Sequence, residues 1–259
     1  MRTVAIIQAR MASTRLPGKV MLEVAGTPLL GHVVRQARQA RGLDLTVVAT
    51  SDQPVNDVIS CYCTEAGVPC FRGSEADVLD RYFQAAKHFG AEVVVRLTAD
   101  CPLLDPAVID RVVEVFRTGD CDYASNTLEP TYPDGLDTEV FGLGALARAW
   151  REAHLKSERE HVTPYIWKHP EMFRLASVKR EPSLSGLRWT VDEPVDLEFV
   201  RRIYSHLGSR PVFGMAEVLA VLRKYPELSA INARLERNEG YQKSLGEDAV
   251  IAGSSEDAR

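Results

Sequence analysis

Short apolar runs alternate along this chain with longer segments in which apolar residues recur every three or four positions. The runs are rich in valine, isoleucine and leucine, which is typical of buried strands. They cover residues 4–7, 45–49, 68–71, 92–97 and 121–125, and similar runs follow at 136–141, 173–178 and 187–191. Three consecutive valines at 93–95 predict that this strand is buried on both faces of a sheet.

The longer segments predict helices between the strands. They cover residues 28–41, 56–66, 77–89, 105–117, 143–153 and 194–204, with one or two more helices within 214–236. A further helix is predicted over 157–167, where Ser157 and Glu160 match a capping box and Pro164 ends or kinks the helix. Strands that alternate with helices in this way predict an α/β fold with a Rossmann-like, mostly parallel sheet flanked by helices.

The length of 259 residues suffices for one large α/β domain, which we predict at residues 1–245. From Gly246 onward the residues are small and polar, which predicts a disordered tail at 246–259.

The composition is that of an ordinary globular protein, with 45% hydrophobic and 26% charged residues. The net charge of −5 argues against a general nucleic-acid binder. No apolar run approaches the length of about 20 residues that a membrane span needs. Arg10 interrupts the only N-terminal apolar stretch, so we expect no secretory signal and a cytoplasmic protein. Five cysteines without Cys-x-x-Cys spacing predict reduced thiols.

A basic loop follows the first predicted strand. Arg10, Arg15 and Lys19 occur in it before the first carboxylate of the chain, Glu23, and small residues separate the cations. Backbone N–H groups and cationic side chains of such a loop can bind one polyanion, and a triphosphate is the predicted ligand. The loop is neither a Walker A motif nor a dinucleotide fingerprint. A solvated basic loop without a ligand is the alternative.

Two aspartates follow predicted strands. Asp100 comes just after the strand at 92–97, and open α/β sheets bind ligands at the carboxyl ends of their strands. The position suits a carboxylate that holds a metal on phosphate oxygens, although an Asx turn leading into Pro102 is the alternative. Asp192 follows the strand predicted at 187–191, where it is equally suited to cap the next helix.

The strand predicted at 136–141 carries a second pair of carboxylates. Alternation places Asp137 and Glu139 on the face opposite Leu136 and Thr138. This pair is predicted either to bind a hydroxylated acceptor, to assist the metal, or to lie on a solvated edge strand. His161 is a candidate base, although histidines in such positions more often serve packing or hydrogen bonding.

The stretch from Gln8 to Met21 resembles the N-terminal signature of the cytidylyltransferases that activate acidic sugars. The similarity is closest to the spore coat polysaccharide biosynthesis branch, which is related to the Kdo and sialic acid synthetases. Further matching stretches occur, in the expected order, at residues 96–102, 132–141, 160–165 and 189–198. The resemblance implies a fold of the nucleotide-diphospho-sugar transferase type, which is GT-A-like, with an acceptor and dimerisation part at roughly 120–180.

The resemblance also implies roles for individual residues. The nucleotide-binding set is Ala9, Arg10, Ser13, Arg15, Lys19 and Arg72; the acceptor-binding set is Asn126, Asp134, Asp137, Glu139 and His161; the metal ligands are Asp100 and Asp192; and the catalytic residues are Arg10, Lys19 and Asp100. Kdo synthetases carry Ser-Gly-Thr near the pyrimidine, whereas this chain has Asp77-Val78-Leu79 there. A surface arginine is the alternative for Arg72.

The reaction implied is transfer of CMP from CTP to an acidic sugar for surface polysaccharide biosynthesis, with Mg²⁺ as cofactor, pyrophosphate as product and a homodimer as the enzyme. A glycosyltransferase of the same fold is the alternative. Such enzymes characteristically use an Asp-x-Asp metal motif, whereas this chain has Asp100-Cys101-Pro102. A non-catalytic nucleotide-binding subunit is the second alternative, and the presence of both Asp100 and Asp192 argues against it.

Overall fold

The computed structural model describes residues 1–208, 210 and 212–250. Seven strands of this part of the chain form one sheet, and two short strands form a separate hairpin. The strands are β1 (Thr3–Gln8), β2 (Glu23–Val24), β3 (Thr27–Pro28), β4 (Leu45–Ser51), β5 (Cys70–Gly73), β6 (Val93–Thr98), β7 (Tyr123–Ser125), β8 (Glu139–Gly142) and β9 (Leu175–Ser177). The order in the sheet is β5-β4-β1-β6-β8-β7-β9, and β2 pairs with β3.

The sheet is mostly parallel, as the alternation of strands and helices predicts. Strands β5, β4, β1 and β6 run parallel, and β9 runs parallel to β7. Only β8 runs antiparallel to its neighbours among the described strands of this sheet, pairing with β6 on one side and β7 on the other. The carboxyl ends of β1 and β6 therefore lie side by side, with Gln8 opposite Thr98.

Helices cover both faces of the sheet. They are α1 (Leu29–Ala37), α2 (Asp57–Glu65), α3 (Val78–His88), α4 (Pro106–Thr118), α5 (Leu143–Glu152), α6 (Lys156–His161), α7 (Pro164–Trp167), α8 (Pro194–Leu207), α9 (Met215–Lys224) and α10 (Glu239–Gly246). Single 3-10 turns occur at Lys19–Met21, Pro54–Asn56 and Pro226–Ala230. None of the described helices is long and apolar enough to cross a membrane.

Alternating residues of the central strands belong to two different cores, which explains why their sequences are continuously apolar. Ala5 and Ile7 of β1 pack with α1, α2 and α4 on one side of the sheet. Val4 and Ile6 pack with α3, α5 and the α6–α7 segment on the other side. A third core lies under α8 and α9 and includes Trp189. The α/β prediction is confirmed.

The prediction of a strand at 187–191 is wrong. Apart from one isolated bridge between Arg188 and Asp134, this segment pairs with no strand of the described chain. Its apolar residues pack into the third core instead. The segment also packs against the turn at Gly135, whose φ is +106° and where a Cβ atom would lie 2.6 Å from the Thr190 nitrogen. Only glycine permits this close approach of two backbones.

Three boundaries can be compared with the predictions. Val162 has a φ of 73° and separates α6 from α7, so the predicted break near Pro164 is correct. The capping interaction lies earlier than predicted, because Glu158 Oε2 accepts from the Leu155 N–H at 3.2 Å. Within the predicted tail, Asp248 accepts hydrogen bonds from Ser157 at 2.8 and 3.0 Å. Residues 251–259 of that tail lie outside the described residues.

Candidate active site

The basic loop leaves β1 at the carboxyl edge of the sheet and folds back on itself. The Gly18 N–H donates to the Met11 carbonyl at 2.9 Å, and Gly18 has a φ of 70°. The 3-10 turn that begins at Lys19 follows directly, which turns the Lys19 side chain inward. Only 7% of Lys19 is exposed to solvent, although lysine is almost never buried without partners.

Three oxygen atoms surround the Lys19 ammonium group. Lys19 Nζ donates to Asp100 Oδ2 at 2.6 Å, to Asp192 Oδ1 at 2.8 Å and to the Val191 carbonyl at 2.8 Å. The structure therefore brings together two residues that the sequence predicts as metal ligands and one that it predicts as a phosphate ligand. Asp100 and Asp192 lie 81 and 173 positions after Lys19 in the chain.

Asp100 and Lys19 are both ionised near neutral pH. Burial raises the pKa of Asp100, but the charge of Lys19 and the hydrogen bonds from Lys19, Thr98 and the backbone together lower it to about 2. Burial lowers the pKa of Lys19, but the two carboxylates raise it above its ordinary value overall. Opposite charges in contact thus offset the cost of removing them from water.

The donor set of this cluster suits a hard divalent cation. Within residues 1–208, 210 and 212–250, no group of three or more histidine, cysteine or acidic side chains is arranged to hold a metal on its own. Mg²⁺ commonly takes one or two carboxylates and completes its shell with phosphate oxygens and water. Asp100 and Asp192 already direct oxygen atoms at one cationic atom, so their donor atoms fit Mg²⁺.

The two arginines of the loop point in different directions. Arg15 Nη2 lies 2.9 Å from Asp192 Oδ1, and Arg15 Nη1 lies 2.7 Å from Glu239 Oε2 of α10. Arg10 is 41% exposed and lies 3.4 Å from Glu160 and 3.9 Å from Glu75. Arg15 therefore belongs to the Lys19 cluster through Asp192, whereas Arg10 lies nearer to α6.

The other predicted nucleotide ligands form hydrogen bonds with other groups of the protein in this structure. Ala9 is buried and its N–H donates to the Ala49 carbonyl at 3.1 Å. Ser13 Oγ accepts from the Leu16 N–H at 3.4 Å within the basic loop. Arg72 donates to the carbonyls of Ser51 and Gln53 and lies 2.7 Å from Asp57. None of these described contacts joins Arg72 to the Lys19 cluster, and its binding to nucleotide stays a prediction.

The predicted acceptor residues lie next to one another beside this cluster. Glu139 is buried, pairs with Arg96, and accepts from the Tyr123 and Thr163 hydroxyls at 2.6 Å each. The alternative of a solvated edge strand is therefore wrong for Glu139. Asp137 pairs with Arg237, a residue that the sequence analysis does not single out.

Asp134 and Asn126 are held by different partners. Asp134 Oδ2 accepts from Arg188 at 3.0 Å, while burial and the Asp137 carboxylate raise the pKa of Asp134 to about 7. Asn126 is fully buried and bonds to the Leu136 carbonyl at 2.8 Å and the Thr138 N–H at 2.9 Å. Its contacts explain the shape of the loop that carries Asp134 and Asp137.

His161 faces the C-terminal helix. Its Nε2 lies 2.9 Å from Ser244 Oγ, and its ring packs edge-on against Tyr241 at a centroid distance of 5.1 Å. Burial, followed by the charge of Arg96, lowers its pKa to about 4. The imidazole is therefore neutral at pH 7, and the role of His161 as a base stays a prediction.

Sequence reasoning misses four charged residues of this site. Arg188 contacts Asp134, Asp192 and Asp196 at 2.8–3.0 Å, and the others are Arg96, Arg237 and Glu239. Arg96 and Arg188 each lie four positions before a predicted metal ligand, which is the one local signal available. Arg237 and Glu239 carry no such signal, because their contacts cross 100 and 224 positions of the chain.

Comparison with known proteins decides the family. The family model described as Cytidylyltransferase matches residues 4–210 of this chain. The chain belongs to the cytidylyltransferase family. The matched range includes Lys19, Asp100 and Asp192, whereas Arg237, Glu239 and the rest of α10 lie beyond it.

Relatives of this cytidylyltransferase include proteins of both branches that the sequence resembles. The spore coat polysaccharide biosynthesis protein SpsF of Bacillus subtilis is 34% identical over 229 residues, which are 86% of this chain and 94% of that protein. The 3-deoxy-manno-octulosonate cytidylyltransferase of Chlamydia trachomatis is 28% identical over 222 residues, which are 80% and 85% of the two chains. A cytidylyltransferase structure from Leptospira borgpetersenii superposes with a TM-score of 0.84 at 32% identity, covering 88% of this chain and 97% of that one.

Replacement of Glu239 tests the contact between α10 and the basic loop. In Glu239→Ala, Arg15 loses its 2.7 Å partner and is freer to bind a triphosphate. The pair is partly exposed, so we expect the KM for CTP to fall by only roughly two- to fivefold. Initial rates of pyrophosphate release at varied CTP measure this. Glu247→Ala, which removes the acid 3.7 Å from Lys156 near the end of α10, serves as the control, and equal KM values in both variants would contradict the prediction.

The depressed pKa of His161 predicts a pH-dependent stability. Between its ordinary pKa of 6.5 and its folded pKa of about 4, the unfolded chain takes up a proton that the folded chain does not. Stability is therefore lost as the pH falls through this window, by about 2–3 kcal/mol. Asp134, with its raised pKa, acts in the opposite direction, so we compare wild type with His161→Gln by urea unfolding at pH 7 and 4.5. Equal losses in the two proteins would show that His161 does not contribute.

Proposed function

We propose that this cytidylyltransferase transfers CMP from CTP to an acidic sugar and releases pyrophosphate, for surface polysaccharide biosynthesis. One observation carries the proposal: Lys19 from the basic loop meets Asp100 and Asp192 at the carboxyl edge of the sheet. A predicted phosphate ligand and two predicted metal ligands thus lie together at the place where open α/β sheets bind ligands. The name of the relative 3-deoxy-manno-octulosonate cytidylyltransferase supports an acidic sugar as acceptor, and the name of SpsF supports polysaccharide biosynthesis.

The residues of the chain position and neutralise the reactants. Arg10, Arg15 and Lys19 would bind the β- and γ-phosphates and neutralise the leaving pyrophosphate. Asp100 and Asp192 would hold Mg²⁺, which when bound stabilises negative charge on the phosphate oxygens. A hydroxyl of the acceptor attacks the α-phosphorus and loses its proton to water. The bond between the α-phosphorus and the oxygen that bridges to the β-phosphate breaks, and that oxygen leaves with the pyrophosphate. Alignment of these groups supplies much of the rate enhancement.

The glycosyltransferase alternative predicts a different metal site. An Asp-x-Asp motif directs two carboxylates from one strand end, whereas here the second carboxylate, Asp192, comes from the segment before α8. The position after Cys101 is Pro102, which offers no side-chain oxygen. The positions of the two carboxylates support transfer of a nucleotidyl group rather than consumption of a nucleotide sugar.

A turnover screen tests the proposed function. ATP, CTP, GTP and UTP are each incubated with Mg²⁺ and a panel of sugar acids and sugar phosphates that includes 3-deoxy-manno-octulosonate, and pyrophosphate is measured. We expect release with CTP and a sugar acid, and little with the other nucleotides. Release with a neutral sugar phosphate alone, or with another nucleotide, would replace the proposed acceptor or donor. If the protein instead releases a nucleoside diphosphate from a nucleotide sugar, the result would support the glycosyltransferase alternative.

The predicted homodimer is part of this proposal. Sedimentation velocity of the purified chain, with its calculated mass of 28.7 kDa, distinguishes a dimer from a monomer.

A further inference from the structure

Arg96 is a cation inside the site whose hydrogen bonds are incomplete. It lies on β6, four residues before Asp100, and its side chain is 15% exposed. Nη1 donates to Glu139, but Nε is buried and has no partner among the described residues. No described residue accepts a hydrogen bond from Nη2. A buried donor without a partner is uncommon, because it forfeits its bond to water.

A second unpaired polar group lies on a neighbouring strand. Gln8 Oε1 is buried and has no partner among the described residues. In the pairing of β1 with β6, Ile6 lies opposite Arg96 and Gln8 lies opposite Thr98, so Arg96 and Gln8 occupy the same face of the sheet near its carboxyl edge. A donor and an acceptor are therefore both unsatisfied on one side of the site.

Arg96 lies among the predicted acceptor residues. It pairs with Glu139 directly. Its charge lowers the pKa of His161, after the larger effect of burial, and it partly offsets the rise that burial causes in the pKa of Asp137. The guanidinium group is therefore close enough to Glu139, Asp137 and His161 for all three to experience its charge.

The other buried cations of the site are already committed. Lys19 contacts Asp100 and Asp192, and Arg188 contacts three aspartates. Arg237 is held by Asp137, the Tyr132 carbonyl and, at 3.9 Å, Asp134. Arg96 has a single carboxylate partner, Glu139, which contacts Nη1. The edge formed by Nε and Nη2 has no partner among the described residues. That edge of a guanidinium matches the two oxygens of a carboxylate.

We propose that Arg96 binds the carboxylate of the acceptor through its Nε–Nη2 edge, and that Gln8 Oε1 accepts a hydrogen bond from a hydroxyl of the same molecule. This inference rests on the proposed function and assigns the residue that selects an acid over a neutral sugar. Glu139 holds the guanidinium in place from the opposite side, so little rotamer freedom is lost when the acceptor binds.

The test compares an acid with its neutral amide. The probes are 3-deoxy-manno-octulosonate, or whichever panel acid supports turnover, and its primary carboxamide, each with saturating CTP and Mg²⁺. Wild type should prefer the acid in kcat/KM by roughly tenfold or more, the range expected for a charge-assisted bidentate contact. Arg96→Gln should lose most of that preference, through the KM for the acid, while the KM for CTP stays unchanged. Gln8→Leu should raise the KM for both probes.

Two further variants guard against misfolding. Arg96→Gln leaves Glu139 buried without a cation, so Arg96→Gln/Glu139→Gln replaces the pair with two neutral amides of similar size. Both should lose the preference for the acid if the guanidinium recognises it. Arg117→Gln is the matched control at the opposite edge of the sheet, where Arg117 donates to Thr3 Oγ1 at 2.8 Å and to the Gly42 carbonyl at 3.0 Å.

The outcomes separate this inference from the function on which it rests. If wild type turns over the acid and Arg96→Gln keeps the wild-type preference, Arg96 does not read the carboxylate and the inference is overturned. An equal rise in the KM for CTP and for the acid would also overturn it. If wild type releases no pyrophosphate with any sugar acid, the proposed function itself fails and the acceptor role of Arg96 falls with it.

Discussion

Asp100→Asn is expected to reduce kcat on the order of 100- to 1000-fold while the chain stays folded. The substitution keeps the size of the side chain but removes the negative charge that pairs with the Lys19 ammonium. The pKa of about 2 shows that the carboxylate is ionised at working pH, so the loss reflects the missing charge and not a change of protonation. Pyrophosphate release at varied Mg²⁺ measures the effect, and the variant should respond only weakly to the metal.

The fold should survive because Lys19 keeps Asp192 and the Val191 carbonyl as partners. Circular dichroism and thermal unfolding check this. Asp122→Asn is a suitable control, since that aspartate pairs with Arg174 beside β7 and β9, away from the described contacts of Lys19. If Asp100→Asn retains the wild-type kcat and the wild-type Mg²⁺ dependence, Asp100 is not a ligand of the metal.

Much of the fold follows from the apolar pattern because buried parallel strands are continuously apolar and short. The strand at 92–97 is correctly predicted as the central strand β6 for this reason. The segment 187–191 carries the same pattern but packs as irregular backbone, which is decided by Gly135 and by the third core rather than by the segment itself. Local sequence does not encode which partner covers an apolar run.

The residues of the candidate site also fall into those that the sequence predicts and those that it does not. Lys19 and Asp100 are predictable because Lys19 lies in the loop that leaves β1 and Asp100 follows β6, and parallel strand ends share an edge. Asp192 follows a segment that is not a strand, so its role as a metal ligand is predicted from the family resemblance. Arg72 also follows that rule as a member of β5, yet in this structure its hydrogen bonds go to two backbone carbonyls. Arg96 lies inside a strand, within a run of apolar residues. The sequence therefore does not indicate that it belongs to the site, and only the pairing of β6 with β8 places it opposite Glu139.

Lys19→Met should combine a loss of nucleotide binding with a loss of stability. Methionine fills a similar volume but leaves Asp100 and Asp192 without the ammonium that they share. Removal of one partner from a buried ionic cluster typically costs about 3–5 kcal/mol, and the remaining Arg15 and Arg188 contacts of Asp192 should hold the cost at the low end, at about 3 kcal/mol. The KM for CTP should rise roughly tenfold or more, because a charge-assisted contact to phosphate is lost.

The pH dependence distinguishes this cause from ordinary cavity formation. In wild type the folded pKa of Asp100 is lowered to about 2, so the stability that Lys19 provides is present above the ordinary value of 3.8 and is lost as the pH falls through about 2. The difference in unfolding free energy between wild type and Lys19→Met should therefore be largest near pH 7 and shrink in acid. A difference that is constant from pH 7 to pH 3 would mean that packing, not charge, causes it.

Added Mg²⁺ provides the sharpest comparison, because it is read as a Tm without any turnover. In wild type the ammonium competes for the same two carboxylates, so Mg²⁺ without nucleotide should raise the Tm little. In Lys19→Met the ammonium no longer competes for the Asp100 and Asp192 oxygens that face it, so the same Mg²⁺ concentration should raise the Tm more, since tighter binding to the folded state stabilises it more. Lys19→Met/Asp100→Asn should lose this gain. If Mg²⁺ shifts the Tm of all three proteins equally, these carboxylates do not form the metal site, and Lys19 has only a structural role in holding them.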